Sequence, residues 1–259
     1  MNARYLVLGA ALLFGARAAT AQSPADHVAA GDEAHRQMKP VEALVHYQEA
    51  IAADSNDYAA LWRAARESVD LGEFERDEAK QKTYYADGER YAKRAVAVNP
   101  NDAEGHFSLA RALGRVALSL GKKGRVRYAK QVRAEALEAL KYDSLHPGAL
   151  HVLGRWNAEI MRLSGFSRFM AKNFLGGDVF GEASWNKAVS YMERSVAQDP
   201  GRLVHHLDLA EIYRDRDHDG DRERARAEFE TVINGHATEY NDRFYKQEAE
   251  RELAKLGPR

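Results

Sequence analysis

Apolar residues recur three and four positions apart along most of the chain, in blocks that stop at similar turns. The stops read AIAADSND at 50–57, AVAVNPND at 95–102, ALKYDSLH at 139–146 and SVAQDPGR at 195–202. Each is an apolar helix end, then a proline or serine, then a cap-like start to the next helix. They stand 45, 44 and 56 residues apart. Aligning the chain on them brings four following segments into register: YAALWRAARESV from Tyr58, AEGHFSLARALG from Ala103, PGALHVLGRWNA from Pro147 and LVHHLDLAEIYR from Leu203. One face then carries Leu61, Ala64 and Ala65; His106, Leu109, Ala110 and Leu113; Leu150, Leu153 and Gly154; and Leu209, Ala210 and Tyr213. That spacing is one stripe of an α-helix. The position of Gly154 is always Ala or Gly, which predicts a close approach by a paired helix. Such packing offsets the ~1 kcal/mol that glycine costs a helix.

The pattern is that of the tetratricopeptide repeat (TPR). Second helices agree at Ala43, Tyr47 and Ala50 and again at Ala225 and Phe229. The basic repeat is about 34 residues, so the wider spacing predicts lengthened second helices and insertions. Segments 73–97 and 122–142 each read as one long helix. A pair of this kind buries its apolar face only by stacking on neighbours. The predicted fold is therefore an all-α, TPR-like solenoid of about five helical pairs with one extra short helix, filling residues 22–259. Segment 165–175 (GFSRFMAKNFL) places Phe166, Phe169, Met170 and Phe174 on one side. It reads as a third helix packed in the core, or as a lid or membrane-surface helix.

Residues 150–166 (LHVLGRWNAEIMRLSGF), the following SRFMAKNFLGG and the run AEGHFSLARALG resemble the regulator of microtubule dynamics proteins. The likeness covers about 40–257, and LGRW with the turn after it is its most specific part. It implies a TPR-like domain without known catalysis. It further implies microtubule association, as in some eukaryotic members, or organelle tethering and phospholipid handling, as in one. The chain departs from the family at its start and carries no recognisable tether motif.

That start reads as an export signal. Met1–Arg4 are a short basic lead, residues 5–15 (YLVLGAALLFG) an apolar run too short for a relaxed span, and Ala19-Thr20-Ala21 a small-x-small cleavage pattern. Removing residues 1–21 takes away Arg4 and Arg17 and no acid, leaving 36 basic against 39 acidic residues, a net of −3. No other stretch is apolar enough to cross a bilayer. The expected location is the periplasm or the medium. There is no cysteine, hence no disulfide, thiolate site or lipid-modified anchor. Near-neutral charge without a basic tract argues against a nucleic-acid partner.

Enzyme constellations are missing. GKKG at 121–124 lacks the phosphate-loop spacing, and neither Gly-x-Ser-x-Gly nor His-Glu-x-x-His occurs. His205-His206 has no third ligand at helical spacing and reads as packed or solvated. The loop DRDHDGDRE at 215–223 resembles the start of a calcium loop. Asp215, Asp217 and Asp219 would be ligands, with Glu223 acting through water, but Arg226 stands where a bidentate Glu is needed. Calcium is thus a candidate cofactor and a polar turn the simpler reading.

The candidate ligand site comes from the register. Arg66, Arg111 and Arg155 align, and four positions before each stands a ring, Trp62, Phe107 or His151. Residues four apart share a helix face. The resemblance implies that the first helices line the concave side, so arginine forks and flat rings would run along a groove. Such a groove suits a protein or peptide partner, especially an anionic one, or a phospholipid headgroup. The alternative is structural: each arginine pairs with an acid such as Glu104 or Glu159 and ties repeats together. The favoured function is a non-enzymatic exported scaffold, with a lipid or small anionic ligand carrier second and a microtubule-associated role third.

Cleavage before Gln22 is the expected outcome of export. Intact mass of the exported protein checks it, and a full-length species in the soluble exported fraction would contradict it.

Overall fold

The computed structural model describes residues 22–118, 120, 122–164 and 178–257. The segment read as an export signal and the aromatic segment 165–175 lie outside them. The helices are α1 (Pro24–Arg36), α2 (Pro40–Ala53), α3 (Tyr58–Glu73), α4 (Glu78–Val98), α5 (Ala103–Leu118), α6 (Lys122–Tyr142), α7 (Pro147–Arg162), α8 (Trp185–Gln198), α9 (Leu203–Arg216), α10 (Asp221–Asn234) and α11 (Asp242–Leu256). A 3₁₀ turn, Asp178–Glu182, precedes α8. Among the described residues there is no strand, and no helix is long and apolar enough to cross a membrane.

Five helical pairs follow one another, α1/α2 through α9/α10, and α11 closes the series. The first helices α3, α5, α7 and α9 also touch one another in sequence and form the inner layer. Their starts are set by short polar side chains that satisfy the free amides of a helix end. Ser23 and Asp26 form a capping box on α1, Asp57 accepts from Ala60 N at 2.9 Å, and Ser184 accepts from Lys187 N at 3.1 Å. His146 does the same for α7, its Nδ1 accepting from Ala149 N at 3.1 Å.

The predicted stripe is the core. Leu61, Ala64, Ala65, Ala110, Leu113, Leu150, Leu153, Leu209 and Ala210 are all buried. Gly154 explains itself here. A Cβ at that position would stand 2.5 Å from Cγ and Sδ of Met192 and 3.3 Å from the carbonyl oxygen of Ala188, both on α8. The helix partner occupies the space a side chain would take.

Extra length enters in the two segments read as long helices and in one insertion. Only α4 and α6 are long, at 21 residues each, whereas α2, α8 and α10 have 14. The third interval is widened between α7 and α8 instead. Helix α4 starts at Glu78 rather than near 73, because Asp77 caps it through Ala79 N at 2.9 Å and Lys80 N at 3.2 Å. Helix α11 was not anticipated as a separate element.

A polar lock recurs in two pairs. His106 lies between Glu135 of α6 (2.7 Å) and the Pro100 carbonyl (2.9 Å); His206 lies between Glu228 of α10 (2.5 Å) and the Pro200 carbonyl (3.0 Å). In each, one imidazole fastens the first helix to its second helix and to the preceding turn. The hydrogen bond to Glu228 holds the His206 ring charged above its usual range.

Gly154→Val is expected to cost about 1–3 kcal/mol by overpacking against Met192 and the α8 backbone. Urea unfolding checks this: the midpoint falls while the slope is unchanged.

Candidate functional site

The inner layer ends in an unexpected closure. Helix α11 returns to α3, far away in sequence. Asn241 donates to the Asp70 carbonyl at 3.1 Å, and the Tyr245 hydroxyl donates to Glu73 Oε2 at 3.0 Å. Phe244 stacks on Phe74 with ring centroids 4.3 Å apart. His35 of α1 approaches Glu239 at 3.6 Å. The C-terminal helix thereby covers part of the face formed by the first helices.

Beneath it lies a cavity of about 240 Å³. Five of the six groove residues named from the register line it: Trp62, Arg66, Phe107, Arg111 and His151. Tyr240 and Tyr245 line it from the C-terminal side. Arg155 lines a neighbouring cavity of about 270 Å³, largely apolar, with Val152, Trp156 and Ile160 among its walls. Arg111 and His151 border both cavities.

The arginine forks are engaged, and by other acids than Glu104 or a lone Glu159. Arg111 donates to Asp70 and stands 3.8 Å from Glu73; Arg115 donates to Glu73. Arg155 donates to Asp208 and approaches Glu159 at 3.7 Å. Arg66 donates to Glu67 on its own helix at 2.8 Å and lies 5.4 Å from the Trp62 ring centre. Glu104 is taken by His146 at 3.2 Å. The ladder residues line the two cavities, and the charges of Arg111 and Arg155 bind α3 to α5 and α7 to α9.

Asp70 and Asp208 are buried and their arginines partly so, and the electrostatics follow from it. Burial works against the Asp208 carboxylate, but Arg155 and His151 prevail and hold it below the usual carboxylate range. His151 reaches Asp208 at 2.5 Å, yet burial keeps its own affinity for a second proton below normal. His205, whose Nδ1 is 3.1 Å from Ser195 Oγ, is pushed far lower, again by burial. Burial opposes the charge on Arg111 too, and Asp70 and Glu73 overcome it. One turn along from Asp208, Glu211 is pushed up to about 7 by burial and by Asp208 itself. His205 and His206 are thus packed helix residues with partners.

The acids of the 215–223 loop disperse. Asp215 is held by Arg162 at 2.6 Å and by Arg214 at 2.8 Å, and Asp217 ends α9 in a left-handed conformation, φ 52°. Asp219 and Glu223 are exposed. The organising residue is Asp221, which accepts from Arg216 Nε at 2.7 Å, from Arg216 Nη2 at 2.6 Å and from His218 N at 3.0 Å. Gly220, at φ 76°, supplies the left-handed residue that the turn needs. Of the four acids read as calcium ligands, Asp215, Asp217, Asp219 and Glu223, Asp215 is thus taken by two arginines. Among the described residues one group of three potential ligands does converge, elsewhere, on α1 and α2.

The family description "Regulator of microtubule dynamics protein 1-3" matches residues 24–257. The chain belongs to this family. It is 26% identical over 148 residues to regulator of microtubule dynamics protein 1 of Pongo abelii, covering 57% of this chain and 46% of that one. It is 27% identical over 104 residues to regulator of microtubule dynamics protein 3 of Rattus norvegicus, covering 40% and 22%. The chain thus matches less than half the length of these relatives. In fold it is similar to a thermophilic TPR protein of Thermus thermophilus, with a TM-score of 0.60 at 16% identity over 88% of this chain and all of that one. This member of the family is a TPR-like α-solenoid.

Residues the register did not single out complete the site: Asp70, Glu73, Asp208, Arg115, Arg202, Tyr240 and Tyr245. Two carried a signal. Asp70 in SVDLG and Asp208 in HLDLA sit between apolar neighbours on first helices, where an acid needs a buried cation.

Arg155→Ala is expected to cost about 3–5 kcal/mol, because it leaves Asp208 buried without its main cation. Asp208→Leu placed in an Arg155→Met background should recover much of that loss. A double-mutant cycle by urea unfolding checks the coupling.

Proposed function

We propose that this protein is a non-enzymatic binding scaffold that takes an acidic segment of a protein partner at its inner face. The observation that supports this is the convergence of Trp62, Phe107 and Tyr240 with Arg66 and Arg111 around one cavity. Aromatic rings offer flat apolar contact, and guanidinium groups favour carboxylates. A space of about 240 Å³ suits a few side chains of an extended segment. TPR-like architecture agrees with a protein partner, and no nucleophile or phosphate loop in the chain suggests chemistry. The adjoining apolar cavity, bordered by Arg111, Arg115 and Arg155, favours an amphipathic anion such as a phospholipid as the second reading. The microtubule role in the relatives' names is the third. An exported chain would not meet microtubules, so the proposed export weighs against it.

One set of binding assays separates them, with fluorescein-labelled acidic hexapeptides, vesicles of anionic phospholipid, and polymerised tubulin in co-sedimentation. The expected result is saturable peptide binding, weakened about tenfold by Trp62→Ala and by Tyr240→Ala. Peptide binding unchanged in both variants, or binding to vesicles or microtubules alone, would overturn the peptide reading.

A further inference from the structure

At the other end of the solenoid, on the first pair, three side chains meet that the groove does not use. His27 is on α1; His46 and Glu49 stand three apart on α2 and so share a face. His27 Nδ1 lies 3.0 Å from Glu49 Oε2, and His46 Nδ1 lies 3.1 Å from the same oxygen. No ligand atom of the three is more than 4.8 Å from another.

We infer that His27, His46 and Glu49 form a binding site for a divalent transition metal of the zinc class. Four ligands around tetrahedral zinc, at bonds of about 2.0–2.1 Å, stand about 3.3 Å from one another. The two nitrogen–oxygen separations are close to that.

A second observation points the same way. His27 Nδ1 is shut off from solvent and makes no hydrogen bond, although the carboxylate oxygen is only 3.0 Å away. A close but misaligned nitrogen and carboxylate oxygen is what two ligands of a single ion present. A nitrogen buried without a partner costs stability, and a metal would use its lone pair. Two imidazoles and one carboxylate are a donor set that suits zinc and leaves a fourth position open. The ligand side chains grade from His27, 15% exposed, to Glu49, 48% exposed, so water can fill that position. Bound metal would clamp α1 onto α2 at the start of the stack.

The test uses the purified full chain, freed of metal with a chelator. Zinc is titrated by calorimetry and by thermal melts, and cobalt by visible absorption. One equivalent of zinc should bind and raise the Tm, since it binds the folded state. Cobalt should give the intense visible bands of a four-coordinate ion. His27→Ala and His46→Ala should each weaken zinc at least about tenfold while leaving the metal-free Tm nearly unchanged. His236→Ala, at an exposed histidine elsewhere, should change nothing. Should a histidine variant fail to fold, Glu49→Gln carries the same expectation. The site is refuted if about 0.1 mM zinc leaves the melt unmoved, or if the double variant of His27 and His46 binds zinc as tightly as the parent.

Discussion

A carboxylate taken out of water must find a cation, and the inner layer of this solenoid is organised around that demand. Asp208 is almost wholly buried on α9, and Asp70 nearly so on α3. Each is met by an arginine from a neighbouring first helix, Arg155 and Arg111. The helices cannot slide past one another without parting these charges, so apolar packing brings them together and the ion pairs fix their register. Such pairs add little net stability compared with an apolar core of the same volume. Their role is to specify one arrangement of first helices, which in turn shapes the cavities those helices enclose.

The same constraint explains how much was legible in the sequence. The repeat register was readable because helix packing leaves a periodic mark: small residues at Ala65, Ala110, Gly154 and Ala210, with leucines a turn before. Local polar chemistry marked starts as well, as at Asp57. The arginine positions could be placed on the inner face by register together with the likeness to TPR stacks. Their partners could not, because Asp70 and Asp208 lie on other repeats, and periodicity says nothing of what faces what across helices. Helix α11 escaped for a related reason. Its anchors, Asn241 to the Asp70 carbonyl and Tyr245 to Glu73, are tertiary and unique to one place. In the 215–223 loop the acids are spaced as in a calcium loop, while Arg162 and Arg214 hold Asp215 and Arg216 holds Asp221, partners that spacing does not reveal.

Membership in the regulator of microtubule dynamics family accounts for the fold across residues 24–257 and leaves the ligand to be argued from side chains. The inner face combines a mixed-charge lining with aromatic walls, and most of its cations are already balanced. A ligand entering there would have to exchange for existing ion pairs or sit beside them. This favours a partner that brings its own carboxylates in a defined geometry over one attracted by net charge alone. Selectivity would then come from fit, because loose anions gain little where most forks already have an owner.

The return of α11 to α3 has one more consequence. An open repeat array is close to one-dimensional: each unit leans on its neighbours, and the ends fray independently of the middle. Here the last helix rests on the second pair, and Glu239 approaches His35 on the first. The array is a ring in its connectivity, though a line in its chain. Loss of either terminus would therefore loosen the other, and hydrogen exchange should report the two ends opening as one unit instead of as separate fringes.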